Sequence, residues 1–122
     1  MAISRRPHRT TVLSSMQSKY YVYVIRLLPT VFEEEGFAAA NPNYRPDKPC
    51  AYVGSSVHPP QKRYEQHVAG YKACRKVTRH HDARYPLIER KQRVFKSRSA
   101  AESFERKLAL ELREKGYAIW QN

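Results

Sequence analysis

Five side chains in this sequence have types and spacings that can be combined into one reaction: Tyr23, Tyr52, Arg63, His67 and Glu105. Tyr23 and Tyr52 lie in two separate runs rich in β-branched and aromatic residues. A tyrosine acts as a general base only where nearby cations lower its ordinary pKa of about 10. The basic composition makes that feasible, and the plainer alternative is a pair of ordinary strand tyrosines. Arg63 and His67 are four residues apart in a helical stretch, so both project from one face of it. A guanidinium forks onto phosphate oxygens and offsets charge developing in a transition state, while a histidine donates to phosphate or handles protons. The alternative is a solvated face on which Arg63 pairs with Glu65 or another acid. On a wheel of about 100° per residue, Glu105 falls within the apolar arc of Phe104, Leu108, Ala101, Leu112 and Ala109. Glu102, Glu111 and Glu114 fall outside that arc. A carboxylate inside it must be paired, hydrogen-bonded, protonated or metal-bound. Either Glu105 reaches water or an arginine from the edge of the stripe, or it serves a hard cation such as Mg²⁺, which commonly takes one or two protein carboxylates.

The charge around these residues suits an anionic partner. Of 122 residues, 23 are Lys or Arg and 11 are Asp or Glu, a formal net charge of +12. Between Gln61 and Arg98 stand twelve basic residues against three acidic ones, so three quarters of the net charge falls in under a third of the chain. This block is interleaved with Tyr64, His67, Tyr71, His80, His81 and Tyr85. That is the composition of a surface that meets a phosphate backbone, and Lys62, Lys72, Arg75, Lys76 and Arg79 are expected to track it without reading sequence. A merely solvated basic face is the alternative. No apolar run approaches the roughly 20 residues of a membrane-spanning helix, since Arg26, Arg63 and Lys107 interrupt the longest stretches. Membrane spanning is therefore excluded. Cys50 and Cys74 match no disulfide framework and no paired-cysteine metal spacing, and they read as buried or half-buried thiols of a cytoplasmic protein.

The elements that must position the five residues follow from local pattern. Residues 1–18 hold no acid and have the composition of a flexible basic arm, and residues 19–122 form one domain. Tyr20 to Leu27 predicts a central strand stopped by Pro29. Residues 28–49, with three consecutive glutamates and with Pro42, Pro46 and Pro49, predict a long inserted loop with one helical turn near Phe37 to Ala40 and a solvated acidic turn. Ala51 to Val53 predicts a short strand ending at Gly54. Pro59-Pro60 opens a helix running to about Ala69, with Gly70 as its stop. A second basic helix is expected over about Lys72 to His80, and Leu87-Ile88 and Val94-Phe95 are candidates for a third strand or a strand pair. Ser99-Ala100-Ala101-Glu102 predicts a capping box for a helix that runs to Lys115, and Tyr117 to Trp120 should pack back on the body.

The order of these signals resembles the GIY-YIG nuclease family. It starts with Tyr21-Val22-Tyr23-Val24-Ile25, continues through Tyr52-Val53-Gly54 and Arg63-x-x-x-His67, and ends with a helical Glu105. The resemblance covers Tyr20 to Trp120, and its most specific part is Tyr52-Val53-Gly54-Ser55-Ser56 through Arg63-Tyr64-Glu65-Gln66-His67. It implies Tyr23 as the first-motif tyrosine and general base, Tyr52 as the second, Arg63 on the scissile phosphate, His67 assisting there, and Glu105 binding the divalent metal. The sequence departs in its first motif, in the longer interval from Leu28 to Ala51, and in His58-Pro59-Pro60 leading into the helix. The expectation is an α/β (α+β) domain with a small three-stranded, mainly antiparallel sheet flanked by helices. Its expected activity is Mg²⁺- or Mn²⁺-dependent endonucleolytic hydrolysis of DNA, with RNA second, in the cytoplasm and at the nucleoid if bacterial. A protein partner or the shape of the DNA would guide it. The rivals are a nucleic-acid-binding module of the same fold with little or no hydrolysis, and a zinc protein using His80, His81, Cys50 and Cys74.

Overall fold

β-Branched and aromatic residues from Tyr20 to Leu27 form the central strand of a mixed sheet, β1. The computed structural model describes residues 19–84 and 93–121. The basic arm of residues 1–18 and the strand candidate Leu87-Ile88 lie outside the described residues. After β1 come a 3-10 helix (Pro29–Glu33), β2 (Cys50–Ser56), α1 (Pro60–Ala69), α2 (Arg75–His80), β3 (Arg93–Phe95), α3 (Arg98–Glu114) and β4 (Ala118–Gln121). The sheet order is β3-β1-β2-β4, with β1 antiparallel to both neighbours and β4 parallel to β2. The α+β class holds, and the sheet has four strands where three were expected. The fourth is the apolar C-terminal segment, which packs back on the body by hydrogen-bonding to β2.

Strand alternation sends successive side chains to opposite faces and divides the core in two. Val22, Val24, Ala51, Val53 and Ile119 meet Ala101, Leu108, Ala109 and Leu112 of α3. Tyr23, Ile25, Leu27, Cys50, Tyr52 and Ala118 point the other way, toward Val31, Phe37 and Val77 of α2. The segment 28–49 is therefore part of the core. The turn expected near Phe37 to Ala40 is present, the Ala40 amide donating to the Gly36 carbonyl at 3.1 Å, and a 3-10 helix precedes it with Pro29 in its first turn and Val31 buried. Phe32 packs edge-on to Phe37 at 4.9 Å and against Tyr44 at 4.8 Å. Asn41 ties this segment to the edge of the sheet. Its Oδ1 accepts from the Ile119 amide at 2.7 Å, and its Nδ2 donates to the Ile119 carbonyl at 3.0 Å. One side chain thus satisfies both outward-facing backbone groups of an edge-strand residue, as a neighbouring strand would. The acidic run is not simply solvated either, because Glu34 accepts from His80 Nε2 at 2.7 Å and lies 3.5 Å from Arg79.

Three boundaries differ from expectation for local reasons. β2 continues through Gly54 to Ser56, paired with β1, instead of ending there. α2 starts at Arg75 and not Lys72, because Gly70 and Lys72 both take positive φ (82° and 43°) and turn the chain. Gly70 closes α1 as expected, with the Tyr71 amide bonded to the Gln66 carbonyl in a Schellman arrangement. The cap of α3 is Ser97, whose Oγ accepts from the Ala100 amide at 3.1 Å, and not Ser99, which already lies inside the helix.

Candidate active site

β1 and β2 bring the two tyrosines to one face of the sheet, where Tyr23 lies opposite Gly54 in the ladder. Their ring centroids are 6.1 Å apart. A Cβ built on Gly54 would sit 2.6 Å from Tyr52 Cε2 and 2.7 Å from Tyr23 Oη. The glycine that the sequence presents as a turn is thus the gap over which both rings close.

His67 on α1 reaches the Tyr23 hydroxyl, with Nε2 2.9 Å from Oη. Its other ring nitrogen, Nδ1, lies 3.3 Å from the Cys74 amide, which donates to it. Nδ1 being the acceptor assigns the proton to Nε2, so the imidazole donates to the Tyr23 oxygen. His67 is fully buried, and that burial, with help from the Arg63 charge, lowers its pKa to about 4. It is a neutral positioning residue for Tyr23, and it is not among the residues lining the cleft. Above about pH 6.5 His67 is neutral in both folded and unfolded chains. As pH falls toward 4 the unfolded chain takes up a proton that the folded one resists. Stability should therefore drop by on the order of 3 kcal/mol across that window. Urea unfolding at pH 7 and pH 4.5 should show this loss in the wild type and a smaller loss in His67→Gln. Equal losses in the two proteins would contradict the assignment.

Burial raises Tyr23 to about pKa 12, although Arg63 pulls in the opposite direction, and burial also raises Tyr52. The expectation that local cations would depress a tyrosine is corrected here, because desolvation outweighs them. Arg63 pairs with no acid among the described residues. Its guanidinium donates to Gln66 Oε1 at 2.9 Å and to the carbonyls of Tyr71 and Lys72 at 3.3 and 2.6 Å. That anchorage uses three of five N–H donors, and Arg63 also hydrogen-bonds the Tyr23 hydroxyl, which leaves one for a ligand.

Glu105 comes from α3. Its carboxylate is buried, 7% exposed, and Oε2 accepts from Gln121 Nε2 at 2.8 Å. No cation pairs with it among the described residues. Tyr23, Tyr52, Ser55, Arg63, Arg98, Glu102, Glu105, Arg106 and Gln121 together line one open cleft of about 540 Å³. Four of the five sequence-derived residues thus share a cleft, and the fifth supports one of them from behind.

The expected backbone-tracking cations sit elsewhere. Lys62 and Lys72 are exposed around α1, while Arg75 and Lys76 line a second cavity that also contains Glu34, Glu35 and Trp120. Lys76 Nζ rests 3.8 Å from the Trp120 ring centroid, and Arg79 pairs with Glu34. The zinc reading finds no support among the described residues, where no group of three or more His, Cys, Asp or Glu side chains comes together. No helix there is long and apolar enough to cross a membrane. Sequence reasoning missed Ser55, Arg98, Glu102, Arg106 and Gln121. Arg98, Glu102 and Arg106 carry a signal in their four-residue spacing. Ser55 and Gln121 carry none, because the register of β2 with β1 and β4 decides what they face.

The cleft thus combines two tyrosines over a glycine of a mixed sheet, an anchored arginine on α1 and a buried carboxylate on α3. The model of the GIY-YIG catalytic domain matches residues 19–118, and the chain belongs to that family. No curated protein and no solved structure matches it.

Proposed function

We propose that the protein is a divalent-metal-dependent endonuclease that hydrolyses DNA phosphodiester bonds, directed by DNA shape or by a protein partner. The observation that carries this reading is Glu105, a buried carboxylate with only a neutral amide as its side-chain partner, in the cleft that holds Tyr23, Tyr52 and Arg63. A buried charge so weakly compensated suits a cation site. The donor set fits Mg²⁺ or Mn²⁺, which take carboxylate oxygen and keep water or phosphate oxygens in the remaining positions. Glu105 would hold the ion, oriented by Gln121. Such an ion acts as a Lewis acid toward phosphoryl and leaving-group oxygens.

The remaining steps belong to the chain's own groups. Arg63, fixed by its hydrogen bonds, presents its remaining N–H to a non-bridging phosphate oxygen and offsets charge as it grows. Tyr23, held by His67, orients the attacking water for in-line approach, and Tyr52 limits where that water sits. At neutral pH a phenol of pKa about 12 is ionised in roughly one molecule in 10⁵, so Tyr23 positions water as a hydroxyl and not as a standing base. The same observation favours a second reading, a binding module of this fold with little hydrolysis. Incubation of supercoiled, branched and single-stranded DNA with Mg²⁺, Mn²⁺ or chelator separates the two. Metal-dependent cutting is expected, lost in Arg63→Ala and reduced in Tyr23→Phe. Binding without cutting of any substrate would establish the second reading instead.

A further inference from the structure

We propose that the nucleic-acid backbone runs along α3, held by Arg98 and Arg106 on either side of the Glu102/Glu105 pair, and not across the α2 cations. This inference rests on the nuclease reading of the same cleft. Arg98, Glu102 and Arg106 follow each other at four-residue intervals, with Glu105 on the same helix face, and all four line the cleft. Opposite charges at such spacing commonly pair along a helix. Here they do not, since no ion pair joins them or binds either arginine among the described residues. Arg98 lies instead over the Tyr20 ring, 5.2 Å from its centroid, and both arginines are exposed. Two guanidiniums without an ion-pair partner, the group best shaped for phosphate, therefore border the site on the helix that carries its carboxylate.

The opposite flank is electrostatically occupied. Arg79 is engaged by Glu34, Lys76 is seated on Trp120, and Glu34 and Glu35 share the cavity with Arg75 and Lys76. A phosphate arriving there meets carboxylates as well as cations. Along α3 the separation of Arg98 and Arg106 is about 12 Å, eight residues at about 1.5 Å each. That is roughly three to four phosphate steps at about 3.4 Å of axial rise per strand. One phosphate rests on each arginine, and those between them face Arg63 and Glu105. Glu102 repels a backbone shifted out of that register.

The test measures binding of labelled duplex DNA, single-stranded DNA and duplex RNA to the full chain in chelator, as log affinity against log salt. Arg98→Ala and Arg106→Ala should each flatten the duplex-DNA slope by about 0.9, so that between 50 and 200 mM salt each loses about 3.5-fold less affinity than the wild type. The weakening should be the same for every sequence, and Arg→Lys at each position should restore the slope. Glu102→Gln should tighten metal-free binding. The Arg75→Ala/Lys76→Ala double variant should keep the wild-type slope. Unchanged slopes in both α3 variants, or a larger loss in the double variant, would overturn the proposal. RNA bound with an equal slope through the same two arginines would support the backbone track. If the α3 variants flatten the slope yet no metal gives cleavage, the track stands and the nuclease reading fails. If cleavage is robust and the slopes do not move, the reverse holds.

Discussion

Gly54→Ala should cost about 1–3 kcal/mol of stability and reduce cleavage by roughly 10²-fold, although a single methyl group is added and no catalytic group is removed. The added carbon would lie 2.6 Å from Tyr52 Cε2, 2.7 Å from Tyr23 Oη and 2.8 Å from Tyr23 Cζ. Neither ring can yield freely. Tyr23 is pinned by His67, and both rings are buried at the centre of the sheet. Displacing the Tyr23 hydroxyl by several tenths of an ångström breaks its contact with His67 and, on the proposed mechanism, moves the attacking water. Thermal melting and single-turnover cleavage of the purified variant check the two effects together. A Gly54→Ala protein with wild-type rate would mean that the close approach of the two tyrosines has no part in the chemistry.

Glu105→Gln should separate folding from function in the opposite sense. Glutamine fills the same space and can still bond the Gln121 side chain, while removing a buried charge that has no cationic partner among the described residues. Stability should therefore be unchanged or raised. Cleavage should fall by roughly 10³-fold or more, because losing several kcal/mol of transition-state charge stabilisation costs about a factor of ten per 1.36 kcal/mol. Urea midpoints and cleavage rates on the same preparation give the answer. A variant that melts early and cuts at an undiminished rate per folded molecule would make Glu105 a structural residue.

Much of this site was legible before the structure. Tyr20–Leu27 is a strand because almost every residue in it favours the pleated, half-buried environment of a central strand, and the four-residue spacing of Arg63 and His67 depends only on helix geometry. Glu105 was legible as an acid inside an apolar arc, which is a contradiction that local pattern alone exposes. The parts that were not legible depend on long-range register or burial. The β4 strand exists because it pairs in parallel with β2, some seventy residues earlier in the chain, and Gln121 reaches Glu105 only through that pairing. The roles of Gly54 and Asn41 follow from what lies across the sheet and at its edge. The pKa of Tyr23 was misjudged because composition reports the supply of positive charge and says nothing about desolvation, which is the larger effect. The acidic surroundings of the α2 cations were not legible for a related reason, since Glu34 and Glu35 come from the distant segment 28–49.

The central claim is that a divalent cation held by Glu105 makes this cleft hydrolytic. Its most direct test is single-turnover cleavage of a branched DNA duplex across a Mg²⁺ titration, with wild type and Glu105→Gln compared at equal bound substrate. The account predicts a wild-type rate that rises from zero in chelator to a plateau, and no cleavage above background for Glu105→Gln at any Mg²⁺ concentration. Cleavage that persists in chelator, or a Glu105→Gln rate that follows the wild-type titration, would contradict it.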